Sequence, residues 1–145
     1  MHTRWMIELG TGTAHSSAGP QAFFDRWIEH DSWPEWDPDI RWVRVDGPVR
    51  QGTRGVLKPR GGPRVKFVIS ACVPNREYTD TSTLPGARLI FQHTVEATDN
   101  GSLLNARVTM TGPLRRFWGA VMGKNFRTSV QANLDRLVRI VEREP

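Results

Sequence analysis

From residue 40 to residue 111 the apolar side chains fall mostly on alternate positions, and from 112 onward they recur every three or four. That change of period separates a strand-rich body from a closing helix. Ahead of the body, Trp5, Ile7 and Leu9 alternate with Met6, Glu8 and Gly10, the period of a half-buried strand over residues 3–15. Ser16-Ser17-Ala18-Gly19-Pro20 reads as a turn and helix start. Ser17 or Gly19 would cap it, and Pro20 suits the first turn, where a missing N–H costs nothing. Phe23, Phe24, Trp27 and Ile28 then predict a short amphipathic helix to about Glu29. The next segment, residues 31–39, holds Trp33, Trp36, Pro34 and Pro38. Two prolines this close forbid a long helix and leave one helical turn between fixed corners.

Six further strands are predicted, over residues 40–45, 53–58, 65–73, 76–83, 87–98 and 103–111, each ended by a Gly, Pro or Asn turn signal. Val65, Phe67, Ile69, Ala71 and Val73 share one face of theirs. Leu89, Phe91, His93 and Val95 share another, as do Leu104, Ala106, Val108 and Met110. One-sided alternation implies an antiparallel sheet with a single buried face. Residues 112–144 supply the cover. Phe117, Val121, Phe126, Val130, Leu134, Leu137 and Val141 form a stripe, with Trp118, Met122 and Ile140 on its shoulders. Burying those seven side chains would contribute on the order of 10–20 kcal/mol, gross. Ordering the helix costs more than that in entropy, so it needs the sheet. The expected architecture is α+β: a seven-stranded antiparallel sheet covered by a long C-terminal helix, with two short helices between strands 1 and 2. The 145 residues fit one domain.

Charge and composition narrow the partners. The formal charge is +5, yet the cations are scattered and no run of five Lys or Arg occurs, so no nucleic-acid partner is expected. The one cysteine, Cys72, sits in an apolar strand pattern and reads as a small core residue. His2, His15, His30 and His93 have no ligand-like spacing, so neither metal nor other cofactor is expected. No stretch approaches 18 apolar residues, and residues 1–10 lack the apolar run of a signal peptide, so no stable membrane insertion and a cytoplasmic location are expected.

Three stretches carry a family likeness. Trp33-Pro34-Glu35-Trp36-Asp37-Pro38-Asp39-Ile40 resembles the Trp-x-x-Trp-[Asp/Asn]-Pro segment of the START-like (SRPBCC) superfamily, which includes polyketide cyclases and dehydratases. Phe91-Gln92-His93-Thr94-Val95-Glu96 is similar to that family's sixth strand, and Met110-Thr111-Gly112-Pro113-Leu114 to the start of its last helix. The resemblance implies the helix-grip fold, in which the seven-stranded antiparallel sheet is curved around the long C-terminal helix, with a hydrophobic small molecule (a lipid, sterol or polyketide) held between sheet and helix.

Candidate lining, by strand parity or helical face, comprises Trp36, Trp42, Phe67, Tyr78, Phe91, His93, Trp118, Met122 and Phe126, with Asn125 offering an amide. For acid–base chemistry the candidates are His93, Tyr78 and Asp80, with Ser82 on the same parity and Asp80 able to orient His93. Arg107 and Glu8 either pair across the sheet or sit separately on its wet face. Two readings follow. One is a non-catalytic binder of a hydrophobic molecule; the alternative is a polyketide cyclase or dehydratase using Tyr, Asp and His as proton carriers. Lipid transfer through the basic surface is weaker, since the pattern shows no exposed apolar helix. Monomer and homodimer are both compatible with the sequence.

Overall fold

The structure, a computed structural model, describes residues 5–144. Its elements are β1 (Met6–Ser16), α1 (Pro20–Ile28), a 3-10 turn (His30–Ser32), α2 (Trp33–Trp36), β2 (Ile40–Val45), β3 (Arg54–Pro59), β4 (Val65–Val73), β5 (Glu77–Leu84), β6 (Ala87–Thr98), β7 (Gly101–Thr111) and α3 (Arg115–Arg143). The predicted start of the first strand, Thr3 and Arg4, lies outside the described residues. The seven strands form one antiparallel sheet in the order β1-β7-β6-β5-β4-β3-β2, so sequence neighbours pair throughout except where β1 joins β7. Long α3 runs chiefly along β1 and β7, and Arg136 in its C-terminal third reaches α2 by donating to the Trp36 carbonyl. This is the helix-grip architecture that the resemblance implied.

Rows of inward side chains cross the sheet. One runs Gly10, Val108, Phe91, Asp80, Ile69; the next runs Gly12, Ala106, His93, Tyr78, Cys72. Three bulges correct the simple parity reading, one of them in β2 between Ile40 and Trp42. The register slips between Ile69 and Ala71, which turns Cys72 inward against the core and leaves Val73 47% exposed. A third slip, between Glu8 and Gly10, lets Leu9 and Gly10 both be buried. A bulge adds one residue, so every later side chain changes face. Trp5, expected half-buried, is largely exposed ahead of β1.

Helix α3 grips β1 through backbone rather than side chains. A Cβ on Gly10 would overlap the Phe126 carbonyl oxygen, and one on Gly12 would lie 3.1 Å from Gln131 Cα. Gln131 closes the same contact from the helix side. Its Oε1 accepts from the Thr13 N–H at 3.0 Å and its Nε2 donates to the Thr13 carbonyl at 2.9 Å, satisfying the edge of β1.

The helical stripe needs its own correction. Val130, Leu134, Leu137 and Val141 are buried as expected, and Phe126 is partly buried. Phe117 and Val121 are not core residues; they are 58% and 61% exposed. The inward face there continues through Gly119 and Gly123, whose missing side chains face Ile7 and Leu9. The helix also begins later than the Gly-Pro signal suggested. Gly112 takes φ +107°, its carbonyl accepts from Arg115 N–H, and Leu114 is the first cap position.

Candidate functional site

The segment between β1 and β2 folds over the inner face of β4, β5 and β6. Pro20 starts α1, whose inward side carries Phe23, Phe24 and Trp27, all buried. Ser32 Oγ donates to the Glu29 carbonyl at 2.7 Å and tightens the following 3-10 turn. Trp33 Nε1 donates to the Trp27 carbonyl at 3.0 Å, fixing that indole above Tyr78 with ring centroids 5.6 Å apart and planes nearly perpendicular. Trp36 follows one turn later and meets His93 edge-on at 6.2 Å. Such offset and edge-to-face arrangements are the favoured ones for aromatic rings.

His30 stands at the centre of this cluster. Its Nε2 is 2.8 Å from the Tyr78 hydroxyl, and its ring lies 4.7 Å from Trp33 and 6.2 Å from Phe67. Burial pushes His30 down to about 4, so it is neutral near pH 7. Tyr78 is fully sealed, and burial, followed by the nearby Asp80 charge, drives its phenol far above the usual range. Asp80, two residues on along the same face, is buried; desolvation pushes it up to about 7, against the opposing influence of the nearby Tyr78 hydroxyl. His30, Tyr78 and Asp80 form a buried polar line in which Asp80 alone titrates near neutral pH, while His30 stays neutral and Tyr78 keeps its proton.

The other histidine differs. His93 sits opposite Tyr78 on β6, with Trp27 at 5.4 Å, and burial lowers it to about 4 as well. Its Nδ1 is buried without a hydrogen-bond partner, as are Nδ1 of His30 and Nε1 of Trp27 and of Trp36. Four polar atoms of this aromatic cluster are thereby left unpaired by the chain. The expected Asp80–His93 couple does not form. The register sets Asp80 opposite Phe91, and the histidine that engages Tyr78 is His30, which sequence reasoning passed over. The signal for it was available: His30 lies three residues after Trp27 and three before Trp33, within the aromatic segment.

The remaining candidates divide. Trp36, Phe67 and Tyr78 are buried on the inner side. Phe91 and Phe126 meet edge to face at 5.6 Å, bridging β6 and α3, and both stay only partly buried along with Met122 and Trp118. Trp118 Nε1 donates to the Pro85 carbonyl at 2.8 Å, which ties α3 to the β5–β6 turn. Trp42 does not line this space. A register slip between Ile40 and Trp42 places Val43 inward and Trp42 outward, under the guanidinium groups of Arg44 and Arg64, each 5.6 Å from its ring. Asn125 does not line it either; it is exposed and its Nδ2 donates to Asp39 Oδ2 at 3.4 Å. Arg107 pairs with Glu8 at 2.7 Å on the exposed face. Two surface grooves of about 530 and 400 Å³ lie elsewhere, one beside Gln21, Arg76 and Glu96 and one between α1 and the end of α3. Among the described residues no three His, Cys, Asp or Glu converge as metal ligands, and no helix is long and apolar enough to cross a membrane.

A curved seven-stranded antiparallel sheet gripping one long helix, with short helices between the first two strands, is the Bet v1/START-like helix-grip fold. Residues 10–142 match the family described as "Polyketide cyclase / dehydrase and lipid transport", and the chain belongs to that family. No curated relative matches it. Among solved structures it is similar to the di-domain ARO/CYC StfQ from the steffimycin biosynthetic pathway, at 17% identity and TM-score 0.71 over 95% of this chain. That match covers 51% of StfQ, so the chain spans about half of that protein. It is also similar to Ara h 8.0201 (20% identity, TM-score 0.69, 96% of this chain and 99% of that one). Truncated norcoclaurine synthase from Thalictrum flavum matches end to end, at 10% identity and TM-score 0.72 over 100% of both chains. At these identities the likeness establishes the fold.

Proposed function

We propose that the chain binds a small hydrophobic molecule, a lipid or a polyketide-like aromatic compound, between the inner face of the sheet and the first half of α3. One observation carries the reading. Phe91 and His93 point inward from the middle of β6, yet they are only partly buried, while Leu89 and Val95 on the same strand face are sealed. Phe126 meets Phe91 edge to face at 5.6 Å, and Met122 and Trp118 on the same half of α3 are likewise only partly buried. Apolar walls with a few convergent polar groups are what a small-molecule site requires. His93 Nδ1 and the indole N–H of Trp36 supply polar groups that the chain itself leaves unpartnered.

Native mass spectrometry of the purified protein, followed by organic extraction, is expected to find a stoichiometric apolar compound. Titration with anilinonaphthalene sulfonate should give enhanced fluorescence. Met122→Asp should weaken that binding by about tenfold or more, roughly 1.4 kcal/mol, with melting unchanged. Absence of both a bound compound and dye binding would remove the reading.

The His30–Tyr78–Asp80 line favours a second reading, an enzyme of the cyclase or dehydratase type in which Tyr78 or Asp80 exchanges a proton with the bound molecule. The two readings separate on Tyr78→Phe. In a carrier this change leaves ligand affinity within about tenfold and nothing else is lost. In an enzyme it abolishes turnover of the extracted compound or its precursor while binding persists. His93→Ala serves as the second probe; its ring packs 6.2 Å from that of Tyr78, so its effect is compared with that of Tyr78→Phe.

A further inference from the structure

The first half of α3 displays an apolar ridge that the fold does not use. Leu114, Phe117 and Val121 fall at spacings of three and four on the outer side of the helix and are 46%, 58% and 61% exposed. The ridge continues inward, since the Phe117 ring meets Trp118 at 5.3 Å and Trp118 packs at the margin of the core. Exposed Arg116, Lys124 and Arg127 flank it. Between Arg115 and Leu134 the helix carries four cations and no carboxylate, the first acid being Asp135.

We infer that this half-helix docks the protein on an anionic lipid surface, with Leu114, Phe117 and Val121 dipping among the acyl chains and the cations on the headgroups. Apolar residues on one side of a helix with Lys and Arg beside them are the pattern of an interfacial helix. A second copy of this chain fits poorly. Symmetry would bring two acid-free cationic helices together, and three side chains cover far less than the roughly 800 Å² per partner of a stable dimer. Nucleic acid would answer the charge but would leave the ridge in water. Attachment is peripheral and does not depend on what the cavity holds.

The test is co-sedimentation of the full chain with vesicles of phosphatidylcholine alone and of phosphatidylcholine with about one third phosphatidylglycerol. Binding is expected to the anionic vesicles only, and to weaken in high salt. Phe117→Ser combined with Val121→Ser should lower it by about tenfold or more, while melting and dye uptake by the cavity stay as in the parent. Lys124→Glu and Arg127→Glu should each lower it by about fivefold or more. The proposal falls if anionic vesicles fail to bind the chain, or if the double serine variant binds as well as the parent. It falls equally if a DNA duplex is bound while vesicles are ignored, or if Phe117→Ser instead disperses a concentration-dependent dimer.

Discussion

In the second half of α3, Val130, Leu134, Leu137 and Val141 face the sheet and are nearly sealed; in the first half the same repeat is held by Gly119, Gly123 and a partly buried Phe126. The two halves are comparably apolar, but only one spends its large side chains on the core. The second half fills space with branched side chains at native density. The first half approaches β1 by omitting side chains, which frees Phe117 and Val121 for the outside and Trp118, Met122 and Phe126 for the margin of the inner face. One helix thus serves stability at its end and contact with other molecules at its beginning.

The largest effect that tests this division is a truncation in the packed half. Leu137 is fully buried, and Leu137→Ala should cost about 2–5 kcal/mol through lost transfer energy and a residual cavity. Phe117→Ala removes more atoms but from the surface, where changes stay within about 0.5 kcal/mol. Urea denaturation of both variants reads the contrast directly, and equal losses would break it.

A smaller effect separates the polar line under α2 from the apolar packing around it. Asp80 is raised to about 7 in the folded chain from an ordinary value of 3.8, so the folded state holds the proton more tightly. Its contribution to stability is therefore highest below about pH 4, falls as pH rises toward 7, and is level above. His30 and His93, lowered to about 4 from 6.5, act in the opposite sense, adding stability as pH rises from about 4 to 6.5. Asp37, raised to about 6 by burial, falls with Asp80. In the parent these slopes oppose one another between pH 4 and 6. Asp80→Asn removes one descending component, so its melting temperature relative to the parent should climb from pH 4.5 to 7 and then level off. A difference that stays constant with pH would show that Asp80 is not held protonated by burial.

The sheet was legible in the sequence because period-two patterns and Gly–Pro turns are local signals. The bounds of β2, β4 and β6 follow from them directly. The site was less so, and for identifiable reasons. Trp42 and Val73 were misassigned because a bulge changes parity without changing composition. Phe117 and Val121 looked like core because a hydrophobic stripe counts large residues, whereas here glycine marks the inward face. His30 was missed because its partner, Tyr78, is 48 residues away and meets it only through the folding of the Trp-Pro segment. Pairings of that range depend on tertiary geometry that periodicity does not encode.

The smallest predicted effect bears most directly on why the first half of α3 is built as it is. A Cβ at Gly123 would meet only Leu9 Cδ2, at 3.6 Å, which is ordinary contact. Alanine restricts the unfolded chain and favours the helix, so Gly123→Ala should stabilise the protein by about 0.4–1 kcal/mol. That corresponds to a rise of about 1–4 °C in Tm for a chain of this size. Gly119 differs, because its Cβ would come 2.7 Å from Ile7 Cδ1 and that side chain would have to swing aside. A thermal melt of the two variants therefore distinguishes a glycine required for close approach from one that leaves the helix free to move. If Gly123→Ala is the more stable and also binds dye more slowly, the glycine serves opening of the inner face. If instead it is destabilised, the first half of α3 is packed as tightly on β1 as the second half is on the sheet, and the division of labour along the helix is wrong.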